Sequence, residues 1–116
     1  MKKVNKNPKV QILLATYNGE KFLREQLESI INQEYKLWEL LIHDDGSSDS
    51  TTSILNEYQN KYPKKVRLLI DQKFFSSASK NFFHLIENRS REANLYCLCD
   101  QDDIWHRRKL DLIIKR

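Results

Sequence analysis

The chain has 116 residues, of which 40% are hydrophobic and 31% are charged, a composition that excludes a disordered or membrane-embedded protein. No stretch approaches the roughly 20 consecutive apolar residues that a membrane-spanning helix needs. The formal net charge of +4 suits an anionic ligand, but no basic stripe is interleaved with aromatic residues, so we expect no nucleic-acid partner. The length allows one domain with a hydrophobic core, over residues 1–116, and is short for a complete enzyme.

Hydrophobic periodicity predicts strands and helices in alternation along the chain. Runs of apolar strand-forming residues predict strands over residues 10–15, 38–42, 66–70 and 95–99. Apolar residues at helical spacing predict helices over residues 20–33, from Asp49 or Ser50 to about Tyr62, and around residues 78–86. Asn18 is the predicted N-cap of the first helix, and Asp49 or Ser50 offers the cap of the second.

The alternation of strands with helices of about ten residues predicts parallel βαβ units with right-handed crossovers. The predicted fold class is therefore α/β, with a mainly parallel sheet flanked by helices. The first strand and the fourth, "LYCLC", are predicted to be buried. We found no internal repeat or linker, so the sequence predicts no second domain.

Three unusual polar segments each follow a predicted strand. They are "TYN" at residues 16–18, "DDGSSD" at 44–49 and "DQDD" at 100–103. In an open parallel sheet, ligands bind beyond the carboxyl ends of the strands, where loops and helix N-termini converge. The sequence therefore predicts a binding site at this edge of the sheet.

The acidic residues of that edge predict a metal and a phosphorylated ligand. Neighbouring carboxylates repel one another, and a divalent cation with oxygen ligands offsets this cost. Asp100 and Asp102 are the candidates for holding Mg²⁺ or Mn²⁺, which usually complete their coordination through water and substrate phosphates. Asp44 and Asp45 can accept hydrogen bonds from a base N–H or a ribose hydroxyl, although "DGSSD" is equally compatible with a loop and an N-cap.

The remaining chemistry-bearing residues are expected to be structural. The three histidines, His43, His84 and His106, are scattered along the chain, and none has a partner at metal-ligand spacing. Cys97 and Cys99 are two residues apart, which favours reduced core residues over a disulfide. With only two glycines, the chain has no glycine-rich phosphate-binding loop.

Three segments in series resemble family 2 glycosyltransferases with the GT-A fold. They are "VQILLATYNGEKFLREQLESIINQ", "WELLIHDDGSSDST" and "CDQDDIWHRRKL", and the resemblance covers residues 9–116. It implies a Rossmann-like nucleotide-binding half of such an enzyme. The form "CDQDDIW" is most similar to bacterial rhamnosyltransferases.

The resemblance also implies roles for particular residues. The matching positions are Thr16, Tyr17, Asn18 and Glu20 at the nucleotide pocket, Asp44 and Asp45 at the base, Lys80 and Asn81 near the diphosphate, and Asp100 and Asp102, with Asp103 adjacent, at the ribose and the metal-bound diphosphate. Of the acidic pair, Asp102 is expected to bind the metal and Asp100 the ribose side.

The implied reaction is transfer of a sugar, with inversion, from a nucleotide-diphosphate sugar to a glycan or lipid-linked acceptor in bacterial cell-surface polysaccharide synthesis. The implied donor is dTDP-rhamnose or a UDP-sugar. No residue matches the family's general base, so the chain is expected to be an incomplete, donor-binding part. The N-terminus is too quickly polar for a signal peptide, which favours a cytoplasmic location, with peripheral association at the inner face of the membrane.

Two departures from the family pattern affect loop geometry. Relatives usually have a glycine before "KN", where this chain has "DQKFFSSASKN", and often a proline after the tryptophan, where this chain has Arg107.

Three alternatives remain open at this point. A phospho-receiver domain usually has its acidic pair after the first strand, where this chain has "TYN". A nucleotidyltransferase of related fold usually has a glycine-rich segment there. A degenerate, non-catalytic interaction module would pair through an exposed sheet edge.

Overall fold

The computed structural model describes residues 7–114 and contains a four-stranded, fully parallel sheet. Its strands are β1 (Val10–Thr16), β2 (Trp38–Asp44), β3 (Val66–Leu68) and β4 (Leu95–Cys99). Its helices are α1 (Glu20–Ile31), α2 (Thr51–Lys61), α3 (Ala78–Glu87) and α4 (Lys109–Ile114). This arrangement confirms the predicted α/β class. Some of the basic residues that give the chain its net positive charge are in residues 1–6 and 115–116, which lie outside the described residues.

The strand order is β3-β2-β1-β4, which makes β1 a central strand. The chain moves outward from β1 to β3 and then returns to pair β4 with the other side of β1. The direction of winding therefore reverses between β1 and β4. In doubly wound sheets, the crevice at such a reversal is the usual ligand site.

Two apolar layers enclose β1, because successive side chains of a strand point to opposite faces. Ile12 and Leu14 belong to the larger core cluster, which α1, α2 and α4 cover. Leu13 and Ala15 belong to a smaller cluster against Leu85 of α3. Every residue of β1 is buried, which confirms the predicted first strand.

The prediction that β4 is a buried strand is wrong for most of its residues. Leu95, Tyr96 and Leu98 are 38%, 39% and 53% exposed. Among the described residues, β4 pairs only with β1, so its other edge has no strand neighbour. Cys97 and Cys99 face the larger core cluster as free thiols, as predicted.

Several boundaries also differ from the prediction. The third strand ends at Leu68 rather than at residue 70, because the chain turns soon afterwards at Gln72, which has a positive φ of 56°. The first helix ends at Ile31, with Asn32 as its C-cap. Helix α4 was not predicted. Within the described part of the chain, no helix has both the length and the apolar character to cross a membrane.

Candidate functional site

A cleft of about 410 Å³ opens at the carboxyl ends of β1 and β4, where the winding of the sheet reverses. The polar residues that line it are Thr16, Tyr17, Asp45, Ser76, Ser77, Asn81, Asp100 and Gln101. Five of them, Thr16, Tyr17, Asp45, Asn81 and Asp100, were predicted to contact the nucleotide. The structure therefore brings the three polar segments to one edge of the sheet, each delivered by its own strand.

Asp45 lines the cleft and is only 7% exposed. Its backbone N–H donates to the Thr16 carbonyl (2.9 Å), which ties it to the end of β1. Its two carboxylate oxygens accept hydrogen bonds from the backbone N–H groups of Phe75 (2.5 Å) and Ser77 (3.2 Å). Since a carboxylate oxygen has two lone pairs, Asp45 can hold this loop and still accept a further hydrogen bond from a ligand.

Asp44 lies outside the polar lining of the cleft and closes a turn. Its carboxylate accepts hydrogen bonds from the Thr16 hydroxyl (2.7 Å) and from the backbone N–H (2.8 Å) and hydroxyl (2.6 Å) of Ser47. The turn requires Gly46, whose φ is +82° and whose added Cβ would lie 3.3 Å from the Phe74 ring. The structure thus separates the two adjacent aspartates into a turn residue and a cleft residue.

Asn18 and Glu20 connect the N-termini of α1 and α2. The prediction that Asn18 caps α1 is wrong: Gly19 is the N-cap residue and has no side chain with which to cap the helix. The Asn18 Oδ1 instead accepts a hydrogen bond from the backbone N–H of Ser48 (2.8 Å). The Glu20 carboxylate accepts a hydrogen bond from the backbone N–H of Ser50 (2.9 Å). Glu20, which was predicted to lie at the nucleotide pocket, therefore joins the start of α1 to the segment before α2.

Asp49, just before α2, makes a contact in the opposite direction, to the N-terminus of α1. Its Oδ2 accepts from the backbone N–H of Glu20 (3.3 Å), and its Oδ1 accepts from that of Thr51 (2.9 Å). The Thr51 hydroxyl, in turn, accepts from the backbone N–H of Gly19 (2.9 Å). Orphan N–H groups of both helices are satisfied across the interface, which makes "TYNGE" and "DDGSSDST" one rigid unit beside the cleft.

The acidic loop after β4 contains two carboxylates without a partner among the described residues. Asp100 and Asp102 are exposed, and no hydrogen bond or ion pair to their carboxylates occurs within residues 7–114. By contrast, Asp103 accepts a hydrogen bond from the indole N–H of Trp105 (3.2 Å) and lies 3.8 Å from the Lys109 ammonium.

The position of this loop is fixed from inside the protein. The side-chain amide of Gln26, which is fully buried, donates to the Asp100 carbonyl (2.6 Å). The Gln101 side chain accepts from the backbone N–H of Tyr17 (2.6 Å). Asp102 adopts a φ of 68°, which Asp tolerates better than most residues. Mg²⁺ and Mn²⁺ prefer oxygen ligands. The carboxylates of Asp100 and Asp102 have no other partner among the described residues, so both fit the predicted metal.

Lys80 does not line the cleft. It is exposed on the first turn of α3, where its backbone N–H donates to the Ser77 side chain (3.3 Å), and it borders a separate cavity with Lys73 and His84. The next residue, Asn81, is buried and lines the cleft.

Sequence reasoning missed a buried polar cluster behind the cleft. His43, from β2, and His84, from α3, both contact the carboxylate of Asp71. Burial alone would raise the pKa of Asp71, but hydrogen bonds from His84, the Lys73 backbone and His43 outweigh it and lower that pKa to about 2. No spacing in the sequence indicated that these two histidines meet, and their ring nitrogens and the Asp71 carboxylate lie within 4.8 Å of one another. His106 is exposed and lies apart from them.

Comparison with known proteins gives consistent matches to one family. The model of the family "Glycosyl transferase family 2" matches residues 11–116. The dTDP-rhamnosyl transferase RfbG of Shigella flexneri is 43% identical over 98 residues, which are 84% of this chain and 34% of that protein. The Escherichia coli glucosyltransferase WfgD is 30% identical over 105 residues, 90% of this chain and 39% of that protein.

The fold is shared with solved glycosyltransferases. S. aureus TarS 1–349, solved in complex with UDP, has a TM-score of 0.76 and 27% identity over 92% of this chain and 31% of that chain. The chain thus spans about a third of the length of these relatives. The GT-A fold implied by the sequence motifs is confirmed, and the match over residues 11–116 establishes that the chain belongs to glycosyl transferase family 2.

Proposed function

We propose that this chain is the donor-binding part of an inverting glycosyltransferase of bacterial cell-surface polysaccharide synthesis. It binds the nucleoside diphosphate of a sugar donor, together with Mg²⁺ or Mn²⁺. The observation that carries this proposal is the cleft where the winding reverses, which is lined by the buried Asp45 and by Asp100. The exposed Asp102 follows two residues later in the same loop, and neither Asp100 nor Asp102 has a carboxylate partner within residues 7–114.

The roles proposed for these residues follow from their surroundings. Asp45 accepts a hydrogen bond from a ring N–H of the base, because it is buried in the lining of the cleft and its loop contacts leave acceptor capacity. Asp100 lies on the ribose side and Asp102 holds the metal. A bound divalent cation would supply charge stabilisation for the departing diphosphate.

The nucleotide is proposed to be dTDP or UDP. One relative is named a dTDP-rhamnosyl transferase, and one solved structure with the same fold holds UDP. Thymine and uracil present the same ring N–H to a carboxylate and differ in one methyl group, so Asp45 alone does not distinguish them. A competition titration between UDP and dTDP would identify the preferred base.

Acceptor activation is proposed to reside outside the segments described here. An inverting transferase needs a general base that deprotonates the acceptor hydroxyl, and no residue of this chain matches the family's base. The acceptor is proposed to be a glycan or a lipid-linked sugar. A protein that acts on a lipid-linked acceptor would associate peripherally with the inner face of the membrane.

Calorimetric titration tests the donor site directly. We expect the chain to bind UDP or dTDP in the presence of Mn²⁺, and Asp100→Ala to weaken binding about tenfold, the loss of one hydrogen bond to a charged group. The matched control is Glu92→Ala, an exposed acidic residue in the loop before β4, at the opposite end of the sheet. Equal losses in both variants, or no binding of either nucleotide to the folded chain, would contradict the proposal.

The exposed outer edge of β4 favours a second candidate, an interaction module. Leu95 and Leu98 are 38% and 53% exposed on a strand that has one neighbour among the described residues. Such an edge can pair with another chain. Light scattering would distinguish the two: a monomer that binds nucleotide contradicts this candidate, whereas a dimer that does not bind nucleotide supports it.

A further inference from the structure

Three side chains of metal-ligand type meet behind the cleft. His43 comes from β2, His84 from α3, and Asp71 from the loop between β3 and α3. One ring nitrogen of each histidine and one carboxylate oxygen of Asp71 lie within 4.8 Å of one another. His43 and His84 are 1% and 8% exposed, so the folded protein holds these donor atoms together in its interior.

A contact with Asn81 determines which ring nitrogen of His43 is available to a ligand. The Asn81 Nδ2 donates to the backbone carbonyl of His43 (3.2 Å), so the amide oxygen must be the atom that faces the ring. That oxygen lies 2.5 Å from the His43 Nδ1, and it only accepts hydrogen bonds. Nδ1 therefore carries a proton, and Nε2 of the neutral ring presents a lone pair. Histidines that bind metals almost always donate through the other ring nitrogen in this way.

The carboxylate of Asp71 lies between the two rings. Its Oδ1 is 3.1 Å from the Nε2 of His43, and its Oδ2 contacts the Nε2 of His84. The backbone N–H of Lys73 also donates to Oδ1 (3.1 Å), which orients the carboxylate as metal-binding carboxylates usually are. The lone pair of a neutral His43 and the carboxylate oxygen repel each other, so a cation between them is stabilising.

The arrangement of the donors favours a metal ion over a proton as this cation. A proton joins one nitrogen to one oxygen and leaves the second histidine outside the contact. A metal ion takes a lone pair from each of the three residues at once. The convergence of donors from three separate elements on one point is therefore used in full only by a metal.

The donor set is that of Zn²⁺. Two imidazole nitrogens and one carboxylate oxygen form a three-ligand zinc site, in which water takes the fourth position of a tetrahedron. Nitrogen ligands suit Zn²⁺, whereas carboxylates and water suit Mg²⁺ and Mn²⁺. Neighbouring ligand atoms around a tetrahedral zinc ion are about 3.4 Å apart. The widest pair of donors, at most 4.8 Å apart, closes to this separation by small side-chain rotations.

A cation can reach the three ligands from solvent. A cavity of about 360 Å³ is lined by His43 and Asp71, together with the second acidic residue Asp44. Within residues 7–114, no lysine or arginine lines this cavity. His84 instead borders a smaller cavity that also contains two lysines, which would repel a cation. The acidic side is therefore the route by which the ion enters.

We propose that His43, Asp71 and His84 form a Zn²⁺ site that shares no ligand with the metal site proposed at Asp100 and Asp102. The ion joins β2, the loop after β3 and α3, so its binding stabilises the folded chain. Without the ion, the Asp71 carboxylate accepts hydrogen bonds from the two rings. This inference does not depend on the proposed donor-binding function.

Titration with Co²⁺ and Zn²⁺ tests the site. The untagged chain is first stripped of metal with EDTA and then freed of the chelator. We expect one Co²⁺ per chain to give the visible absorption of a four-coordinate ion, and Zn²⁺ to displace it. Thermal unfolding should occur at higher temperature with Zn²⁺ than without it.

The matched variants are His84→Gln and His106→Gln, because His106 is exposed and lies apart from the cluster. His84→Gln should weaken Zn²⁺ binding by about a hundredfold or more, since the loss of a group that only orients a ligand typically costs about 10–100-fold. His106→Gln should leave the affinity unchanged. Equal affinities in the two variants would overturn the site. So would a Zn²⁺ affinity that falls in Asp102→Ala and not in His84→Gln, because the ion would then lie in the acidic loop.

Nitrogen NMR of the ¹⁵N-labelled wild type provides a test that needs no substitution. The chain has three histidines, and we expect Zn²⁺ to shift the Nε2 signals of His43 and His84 while those of His106 stay unchanged. If His43 keeps protons on both ring nitrogens in excess Zn²⁺, a proton is the cation of the cluster and the metal site is overturned. Neither outcome changes the expected binding of UDP or dTDP, which is measured separately with Mn²⁺.

Discussion

The substitution Asp71→Asn tests the electrostatics of the buried cluster through protein stability. The Asp71 side chain is 22% exposed and faces His43 and His84. Its pKa falls from the usual 3.8 to about 2 in the folded protein, because the hydrogen bonds outweigh the effect of burial. At about 1.4 kcal/mol per pKa unit, the ionised carboxylate contributes about 2 kcal/mol to the free energy of unfolding at neutral pH.

The sign of the pH dependence follows from the lowered pKa. The stabilisation is complete above the unfolded pKa, near pH 4, and is lost as the pH falls through the folded value of about 2. Asparagine cannot ionise, so the variant lacks this contribution at every pH. The difference between the two proteins should therefore be about 2 kcal/mol at pH 7 and should shrink between about pH 4 and pH 2.

Urea unfolding, followed by the fluorescence of the two tryptophans, measures this difference at pH 7, 5, 4 and 3. Glu92→Gln serves as the control, because it removes an exposed carboxylate far from the cluster. A difference of the same size at every pH would contradict the account, since packing or the shape of the amide would then cause it. A wild type and variant of equal stability at pH 7 would do so as well.

Two further predictions concern buried groups near the cleft. Thr51→Val should lower the free energy of unfolding by about 1–3 kcal/mol, because the backbone N–H of Gly19 loses its buried acceptor. Thr52→Val, at an exposed neighbouring position, should change the free energy of unfolding little. Equal effects of the two substitutions in urea denaturation would contradict the capping role of Thr51. Burial raises the pKa of the Cys99 thiol to about 12, so iodoacetamide should label Cys99 at pH 8 only after the protein unfolds. Mass spectrometry of a Cys97→Ser variant measures this labelling at Cys99 alone. Rapid labelling of Cys99 in the folded variant would contradict its buried position.

The sequence predicted the parts of the fold that depend on local pattern. Apolar runs and helical periodicity located the four strands and three of the four helices that residues 7–114 contain, because a buried strand and an amphipathic helix each show their period in the residues themselves. The exposure of Leu98 was not predictable in this way. It depends on which strands flank β4, and a strand's own residues do not encode its neighbours.

The edge of the sheet that carries the site was predictable, but the roles of single residues were not. Parallel strands bring "TYN", "DDGSSD" and "DQDD" together whatever their details. Whether an aspartate faces the cleft or closes a turn depends on backbone geometry, which separates Asp45 from the adjacent Asp44. The contact between His43 and Asp71 joins residues 28 positions apart, and only the packing of the folded chain reveals it.

The Mn²⁺ dependence of nucleotide binding in Asp102→Ala tests the central claim most directly. Asp102 is exposed and its carboxylate has no partner within residues 7–114, so the substitution costs only the local strain of alanine at a φ of 68°, and circular dichroism can verify that the fold is intact. We expect the wild-type chain to bind UDP or dTDP more tightly with Mn²⁺ than with EDTA, and Asp102→Ala to bind equally weakly under both conditions. If the variant retained the full metal enhancement, or if the wild type showed none, the proposed metal-assisted donor site would be contradicted.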